Sequence, residues 1–179
     1  MYPTSINEKY MELVINTLRD GGIIIYPTDS LYAIGCNALN NQAIERICRI
    51  KGINPAKTNL SIICHDISQS AEYARINNRA FRIMKDNLPG PFTFLLPAST
   101  TLPKVFKGRK TVGVRIPDNA IAREIAMRMD SPLLTTSIQW DTEDEAINPE
   151  SIAMRYSDTV DIVIDGGEGG NETSTVIDL

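Results

Sequence analysis

Hydroxyl, amide and cationic side chains recur where the predicted helices and strands of this chain end. They lie at residues 28–30, at Lys51 and the loop after it, at residues 115–117, at residues 135–139 and at residues 173–175. Hydroxyls and amides can hold a polar ligand by hydrogen bonds, and Lys51 and Arg115 suit a phosphate or a carboxylate. Each position also has a structural interpretation: Thr28 could cap a turn, Lys51 could complement a helix C-terminus, and Arg115 could pair with a carboxylate. Spacing alone leaves both interpretations open.

The elements that must position these side chains alternate between helix and strand. Apolar residues at helical spacing precede Gly21 and Gly52 and recur at residues 77–87, Asn119 can cap a further helix, and a short helix is expected at residues 149–156. Short apolar runs predict strands at residues 23–26, 60–64, 92–96, 111–116, 133–135, 161–164 and 174–177. We therefore predict one α/β domain over residues 1–179, with a twisted, mixed and partly parallel sheet flanked by helices. Ligands of such sheets bind beyond the strand ends, where these polar side chains fall.

The composition is that of an ordinary globular protein, with 42% hydrophobic and 22% charged residues among 179. No apolar run approaches the ~20 residues that a membrane helix needs. The first ten residues lack the basic and apolar regions of a signal peptide. We expect a cytoplasmic protein with no membrane partner.

The three cysteines, Cys36, Cys48 and Cys64, are widely spaced and lie among apolar neighbours. An odd number at such spacing predicts buried, unpaired thiols rather than a disulfide framework. With the single His65 they form no metal-ligand spacing. We expect no metal site and no tightly bound cofactor.

The net charge of −4 is unevenly distributed along the chain. Residues 1–140 hold 17 Lys and Arg against 11 acids, whereas residues 141–172 hold ten acids and one base. The bases Lys104, Lys107, Arg109, Lys110 and Arg115 lie close together in sequence. A basic body predicts an anionic ligand, although a solvated positive face explains the charge equally well.

Glycine-rich residues 166–170 are a second candidate for phosphate binding. They lack the lysine and the following helix of a Walker-type loop, and no G-x-G-x-x-G is present. We interpret them as a flexible turn.

Several segments resemble the YrdC-like family, the threonylcarbamoyl-adenylate synthases. YPTDSLYAIGC at residues 26–36 resembles the family's P-T-E-T-x-Y-G-L-G-C opening, and IKG, LPGPFTFLLPA, TVGVRIPDN, TTS and STVIDL follow in the family's order. The resemblance spans nearly the whole chain. It implies a YrdC-like open α/β fold with a concave basic cavity, whose lip would be the proline break after Tyr26.

The resemblance also implies a reaction. L-threonine, bicarbonate and ATP with Mg²⁺ as substrates would give threonylcarbamoyl-AMP and pyrophosphate, and the adenylate would serve the modification of adenosine 37 in tRNA. Such nucleotidyl transfer needs positioned cations and little side-chain acid–base work. The alternative is a non-catalytic protein that binds nucleotide, tRNA or double-stranded RNA.

The family's motifs assign roles to particular residues. Lys51 and Arg115 would be the catalytic cations. Threonine would be held by Ser30, Arg115 and Ser174, and the nucleotide by Thr28, Tyr32, Lys51, Thr136, Ser137 and Gln139.

Two positions depart from the family's pattern. The family pairs K-x-R with S-x-N, whereas this chain reads K-G-I at residues 51–53 and S-I-Q at residues 137–139. Residues 51–66 and the LLTTSIQ segment resemble the YciO branch more than the tRNA-modifying enzymes. Loss of one phosphate-binding arginine can cost about 2–3 kcal/mol, which predicts a weakened synthase.

Position 53 provides a test of this interpretation. If its loop points into the cavity, the substitution Ile53→Arg should raise activity roughly ten- to a hundredfold. If Ile53 packs into the core, arginine should destabilise the fold instead.

Overall fold

The computed structural model describes residues 8–55, 57–58, 60–103, 106 and 110–179, and all the strands within these residues belong to one sheet. Within these residues the helices are α1 (Glu8–Arg19), α2 (Asn41–Lys51), α3 (Ile67–Tyr73), α4 (Asn78–Asn87), α5 (Ala120–Met129), α6 (Glu143–Ile147) and α7 (Pro149–Tyr156). The strands are β1 (Ile24–Tyr26), β2 (Ala33–Asn37), β3 (Ser61–Ile63), β4 (Phe92–Pro97), β5 (Thr111–Arg115), β6 (Leu133–Ser137), β7 (Ile162–Val163) and β8 (Thr175–Asp178). None of these helices is long and apolar enough to cross a membrane.

Local signals in the sequence fix several helix ends. The Asn119 side chain accepts hydrogen bonds from the backbone N–H groups of Ile121 and Ala122, so it caps α5 as predicted. Gly52 ends α2 with φ of 65°, a left-handed conformation that glycine adopts at little cost. Lys51 therefore lies in the last turn of α2.

The sheet is mixed, which confirms the predicted fold class. Its strand order is β7-β1-β2-β6-β3-β5-β4-β8. The pairs β1–β7, β3–β5 and β4–β8 are parallel, and the other four pairs are antiparallel. β7 and β8 follow one another in the chain but lie at opposite edges of the sheet.

Three elements were not predicted. β2 lies in the centre of the sheet between β1 and β6, although its residues include Gly35, which has a low preference for strands. α3 and α6 are short, and each begins at a capping side chain, Asp66 or Thr142. Neither helix carries enough apolar residues to show a helical period.

Buried apolar residues lie in two clusters. The larger cluster contains Ile44 of α2, Met84 of α4 and Ile152 of α7. The smaller cluster contains Val14 of α1 and Ile125 of α5. Because successive strand residues point to opposite faces, β1, β2, β3, β6 and β7 contribute to both clusters, whereas β4, β5 and β8 contribute to the larger cluster alone.

The face of the sheet that carries α1 and α5 is only partly apolar. Leu133 of β6 and Ile63 of β3 are paired in the sheet, and both belong to the smaller cluster. Thr135 and Ser61 each lie two residues away from these positions, on the same face of the sheet, and they are also paired with each other. Hydroxyls thus replace apolar side chains on this face.

The three cysteines yield a prediction. All three thiols are buried and free, and burial raises the pKa of Cys64 to about 12. At pH 8 only about one Cys64 side chain in ten thousand is then a thiolate. In the native state we expect almost no labelling by a thiol reagent, whereas denaturant should expose three reactive groups per chain. Rapid native labelling, or a mass two hydrogens lower than the reduced chain, would contradict this.

Candidate functional site

A cavity of about 200 Å³ opens on the hydroxyl-bearing part of the sheet. Its wall consists of Ser30, Leu31, Ala33, Ser61, Thr93, Arg115, Thr135, Thr136, Ser137, Thr173 and Ser174. These residues come from five strands and from the segments that precede β2 and β8. A larger cavity of about 440 Å³ lies beside α4 and Leu179. None of the predicted site residues lines it, so the smaller cavity is the candidate site.

The lip of this cavity is the polar turn at residues 28–30, which follows Pro27. The Thr28 hydroxyl donates a hydrogen bond to the Leu31 carbonyl oxygen at 2.7 Å and accepts one from the Ser30 N–H at 3.0 Å. The Thr28 and Ser30 hydroxyl oxygens lie 3.1 Å apart. This hydrogen-bonded turn separates β1 from β2 and holds the Ser30 side chain against the cavity.

Arg115 is the charged residue of the cavity wall. Its Nη2 donates to the Ser30 hydroxyl at 2.7 Å and lies 3.3 Å from an Asp29 carboxylate oxygen. The other Asp29 oxygen accepts a hydrogen bond from the Asp118 N–H at 2.7 Å. Burial lowers the pKa of Arg115, and the negative charge of Asp29 opposes that shift. Asp29 therefore joins the lip to the end of β5 and compensates the buried guanidinium.

Two buried polar atoms of the wall have no hydrogen-bond partner, Arg115 Nε and Thr135 Oγ1. The hydroxyl of Tyr26, a residue buried behind the wall, also has none. Burial raises the pKa of Tyr26, although the nearby Thr135 hydroxyl and Arg115 charge oppose the rise. The Tyr26 and Thr135 hydroxyls are thus close but outside hydrogen-bonding geometry. Buried polar groups rarely stay unpaired, so Arg115 Nε and Thr135 Oγ1 give this part of the wall unused hydrogen-bonding capacity.

Lys51 lies behind one edge of the wall. Its Nζ donates a hydrogen bond to the Ser137 carbonyl oxygen at 2.5 Å. Burial lowers the pKa of Lys51 from its usual value. A cation is thereby attached to the end of β6, next to the two wall residues Thr136 and Ser137.

The remaining wall is formed by the segment that leads into β8. The Ser174 hydroxyl lies 2.6 Å from the Thr93 hydroxyl of β4. Ser30, Arg115, Thr136, Ser137 and Ser174, which were predicted from different parts of the sequence, thus meet at one cavity.

Four residues predicted to bind nucleotide do not line this cavity: Lys51, described above, and Thr28, Tyr32 and Gln139. Thr28 supports the lip from behind. Tyr32 alternates with Ala33, so it lies on the other face of the sheet, where it packs in the larger apolar cluster. Gln139 is exposed beyond β6, and its backbone N–H donates to the Tyr156 hydroxyl.

The predicted basic character of the cavity rests on few charges in the described wall. Arg115 is its one charged residue, and Lys110 is exposed elsewhere. Lys104, Lys107 and Arg109 lie outside the described residues. Ile53 is half-buried and packs against the larger apolar cluster, so its loop does not point this side chain into the cavity.

Two polar wall residues lie outside the segments singled out from the sequence, Ser61 and Thr93. Each is a single hydroxyl within an apolar strand. Gly113 lies between these two side chains. A Cβ at this position would collide with the Ser61 hydroxyl and approach Thr93 Cγ2 at 3.0 Å, so a larger residue would not fit there. In the sequence, each of these residues lies between two apolar neighbours, which indicates that it points to the opposite face of the sheet from them. This pattern does not show which face of the sheet is covered by helices and which is open.

The Asp29–Arg115 pair yields a prediction for stability. Asp29→Ala should lower the free energy of unfolding by about 3 kcal/mol, because it leaves a buried guanidinium without its counter-charge. Urea denaturation measures this. Asp118→Ala is the matched control, since Asp118 contributes only its backbone N–H and its loss should cost less than about 0.5 kcal/mol. Equal losses in both variants would show that the pair does not stabilise the fold.

Comparison with known proteins places this chain in a family. The model of the Sua5/YciO/YrdC family, described as "Telomere recombination", matches residues 16–179. YciO of Escherichia coli K12 is 38% identical over all of this chain and 88% of its own length. Its crystal structure superposes with a TM-score of 0.90.

Two further relatives carry names that state an activity or a ligand. The threonylcarbamoyl-AMP synthase of Methylobacillus flagellatus is 31% identical over 90% of this chain and 91% of its own. The crystal structure of Pyrococcus abyssi Sua5 complexed with L-threonine has a TM-score of 0.89, with 30% identity over 99% of this chain and 53% of that one. The chain therefore belongs to the Sua5/YciO/YrdC family.

Proposed function

We propose that this chain is an ATP-dependent synthase of the threonylcarbamoyl-AMP type, which uses L-threonine, bicarbonate and Mg²⁺-ATP and releases pyrophosphate. The observation that carries the proposal is the buried Arg115 guanidinium beside Ser30 in a small cavity with unpaired polar atoms. Family membership supports it, because two relatives of this chain are threonylcarbamoyl-AMP synthases by name. The Sua5 relative crystallised with L-threonine has the same fold.

The amino-acid half of the reaction fits the cavity by size and charge. A volume of about 200 Å³ is below the usual range of about 300–1,000 Å³ for small-molecule sites, so it suits an amino acid rather than a whole nucleotide. Arg115 would face the threonine carboxylate, and the Ser30 and Ser174 hydroxyls would bind polar atoms of the same ligand. Because Asp29 and Ser30 already orient the guanidinium, binding requires little reorganisation.

In the proposed reaction, the phosphates of ATP would lie at the end of β6. A carbamate oxygen of N-carboxylated threonine attacks the α-phosphorus, and the bond from that phosphorus to the pyrophosphate oxygen breaks. No side chain has to transfer a proton in this step, so its main requirement is positive charge near the phosphates. Lys51 would supply it beside Thr136 and Ser137, and Mg²⁺ bound to the incoming ATP would supply more.

Binding of tRNA or double-stranded RNA is the second interpretation, and the charge of the site argues against it. A surface for a polyanion needs several phosphate-binding cations, whereas the described wall has Arg115 alone. A titration with tRNA at two salt concentrations separates the two, since phosphate-dominated binding must weaken steeply as salt rises.

Pyrophosphate release tests the proposed reaction. We expect release from Mg²⁺-ATP only when threonine and bicarbonate are both present. Arg115→Ala should lower kcat/KM for threonine at least roughly a hundredfold, and Arg115→Lys roughly tenfold, because lysine keeps the charge but loses the planar fork. Arg46→Lys is the control, since Arg46 forms an exposed ion pair with Asp161 outside the cavity. Release without threonine, or full activity of Arg115→Lys, would refute these roles.

The position of Ile53 yields a separate prediction. Because Ile53 packs against the apolar cluster, Ile53→Arg should lower the free energy of unfolding by about 1–2 kcal/mol and should not raise threonine-dependent pyrophosphate release. Ile53→Leu, which keeps the volume and the apolar character, should leave both quantities nearly unchanged. An active and stable Ile53→Arg variant would mean that residue 53 reaches the phosphates.

A further inference from the structure

We propose that Tyr32 is a positioning residue that holds residues 165–174, here called the glycine strap, over the cavity. The half of this proposal that concerns threonine rests on the proposed function. The half that concerns the strap rests on the structure alone.

The topology of the sheet forces the strap across the molecule. β7 and β8 lie at opposite edges of eight strands, and the strap is the connection between them. Within this connection only three residues separate Gly170, whose N–H donates to the Ser30 carbonyl oxygen, from Ser174, whose hydroxyl contacts that of Thr93. The strap therefore has little freedom between the lip and β4.

The Tyr32 hydroxyl holds the start of the strap with two hydrogen bonds. It donates to the Gly167 carbonyl oxygen at 2.6 Å and accepts from the Gly166 N–H at 2.9 Å. Burial raises the pKa of Tyr32 to about 12. The hydroxyl therefore keeps its proton, and both bonds, across the neutral pH range.

Glycines let the strap lie directly on the lip. A Cβ on Gly169 would lie 2.6 Å from Tyr32 Cδ2, and one on Gly170 would lie 2.6 Å from the Ser30 carbonyl oxygen. The Gly170 N–H donates to that same oxygen at 3.1 Å. The predicted flexible turn is thus packed against Tyr32 and against Ser30, which lines the cavity.

The far end of the strap closes the cavity. Asn171, Glu172 and Thr173 are exposed, and the next anchor is the contact between the Ser174 and Thr93 hydroxyls. Thr173 and Ser174 line the cavity on this side. Only two residues separate Gly167 from Gly170, and three separate Gly170 from Ser174, so the bonds of Tyr32 at the start of the strap restrict where these two wall residues can lie. Tyr32 acts on the ligand only through them.

The test uses Tyr32→Phe, which removes the hydroxyl and keeps the ring. Hydrogen–deuterium exchange of residues 165–174 should become roughly tenfold faster, as expected for the loss of two hydrogen bonds in a local opening. Exchange in β2 and β6 should not change. Calorimetric titration with L-threonine should give a Kd raised roughly fivefold.

Tyr156→Phe is the matched control. The Tyr156 hydroxyl also binds both the N–H and the carbonyl oxygen of one loop residue, Gln139, but it does not contact the strap. Its loss should leave exchange of residues 165–174 unchanged. Equal exchange in the Tyr32→Phe variant and the wild type would overturn the proposal. So would faster exchange with an unchanged threonine Kd. A wild-type protein that binds no threonine would refute the proposed function, while the exchange data alone would still decide whether Tyr32 holds the strap.

Discussion

A buried positive charge is the constraint on which the site depends. Arg115 is 7% exposed, and an ionised group that leaves water must gain an opposite charge and hydrogen bonds. Asp29 and Ser30 provide them, and both belong to the short turn that follows Pro27. Within the described residues this turn supplies both acceptors that the guanidinium contacts, so the polar residues that interrupt the apolar strand compensate the buried charge. The same contacts orient the charge toward the cavity.

The cavity exists because one face of the sheet is incompletely covered. α1 and α5 bury the apolar residues on this face, such as Leu133 and Ile63. Farther along the same strands, Thr135 and Ser61 occupy the equivalent face positions and remain beside open space. Hydroxyls can face either water or a ligand, whereas apolar side chains there would favour another covering helix. The chemistry of the wall and the absence of a covering helix at this part of the described sheet thus have a common origin.

Sequence analysis predicted the fold class and most strands because proline, glycine and asparagine mark the ends of these elements. It located five wall residues because each lies at such an end. It did not predict β2, and without that strand the alternation that turns Tyr32 away from the cavity could not be read. The side-chain direction of Ile53 depends on how the loop after Gly52 packs, which local sequence does not determine. Ser61 and Thr93 were missed because the face of a strand follows from its register with neighbours that are distant in sequence.

The placement of β7 and β8 has a consequence for the order in which the protein folds. These edge strands pair in parallel with β1 and β4, and so join residues separated by more than 130 and 80 positions in sequence. Contacts of such high sequence separation form late, because the entropy of closing the loop must be overcome before the pairing stabilises it. During synthesis the central strands can assemble while the last residues are still missing. The cavity wall, which includes Ser174, is complete only when residues 174–178 have been translated, so a nascent chain completes this cavity in a late folding step.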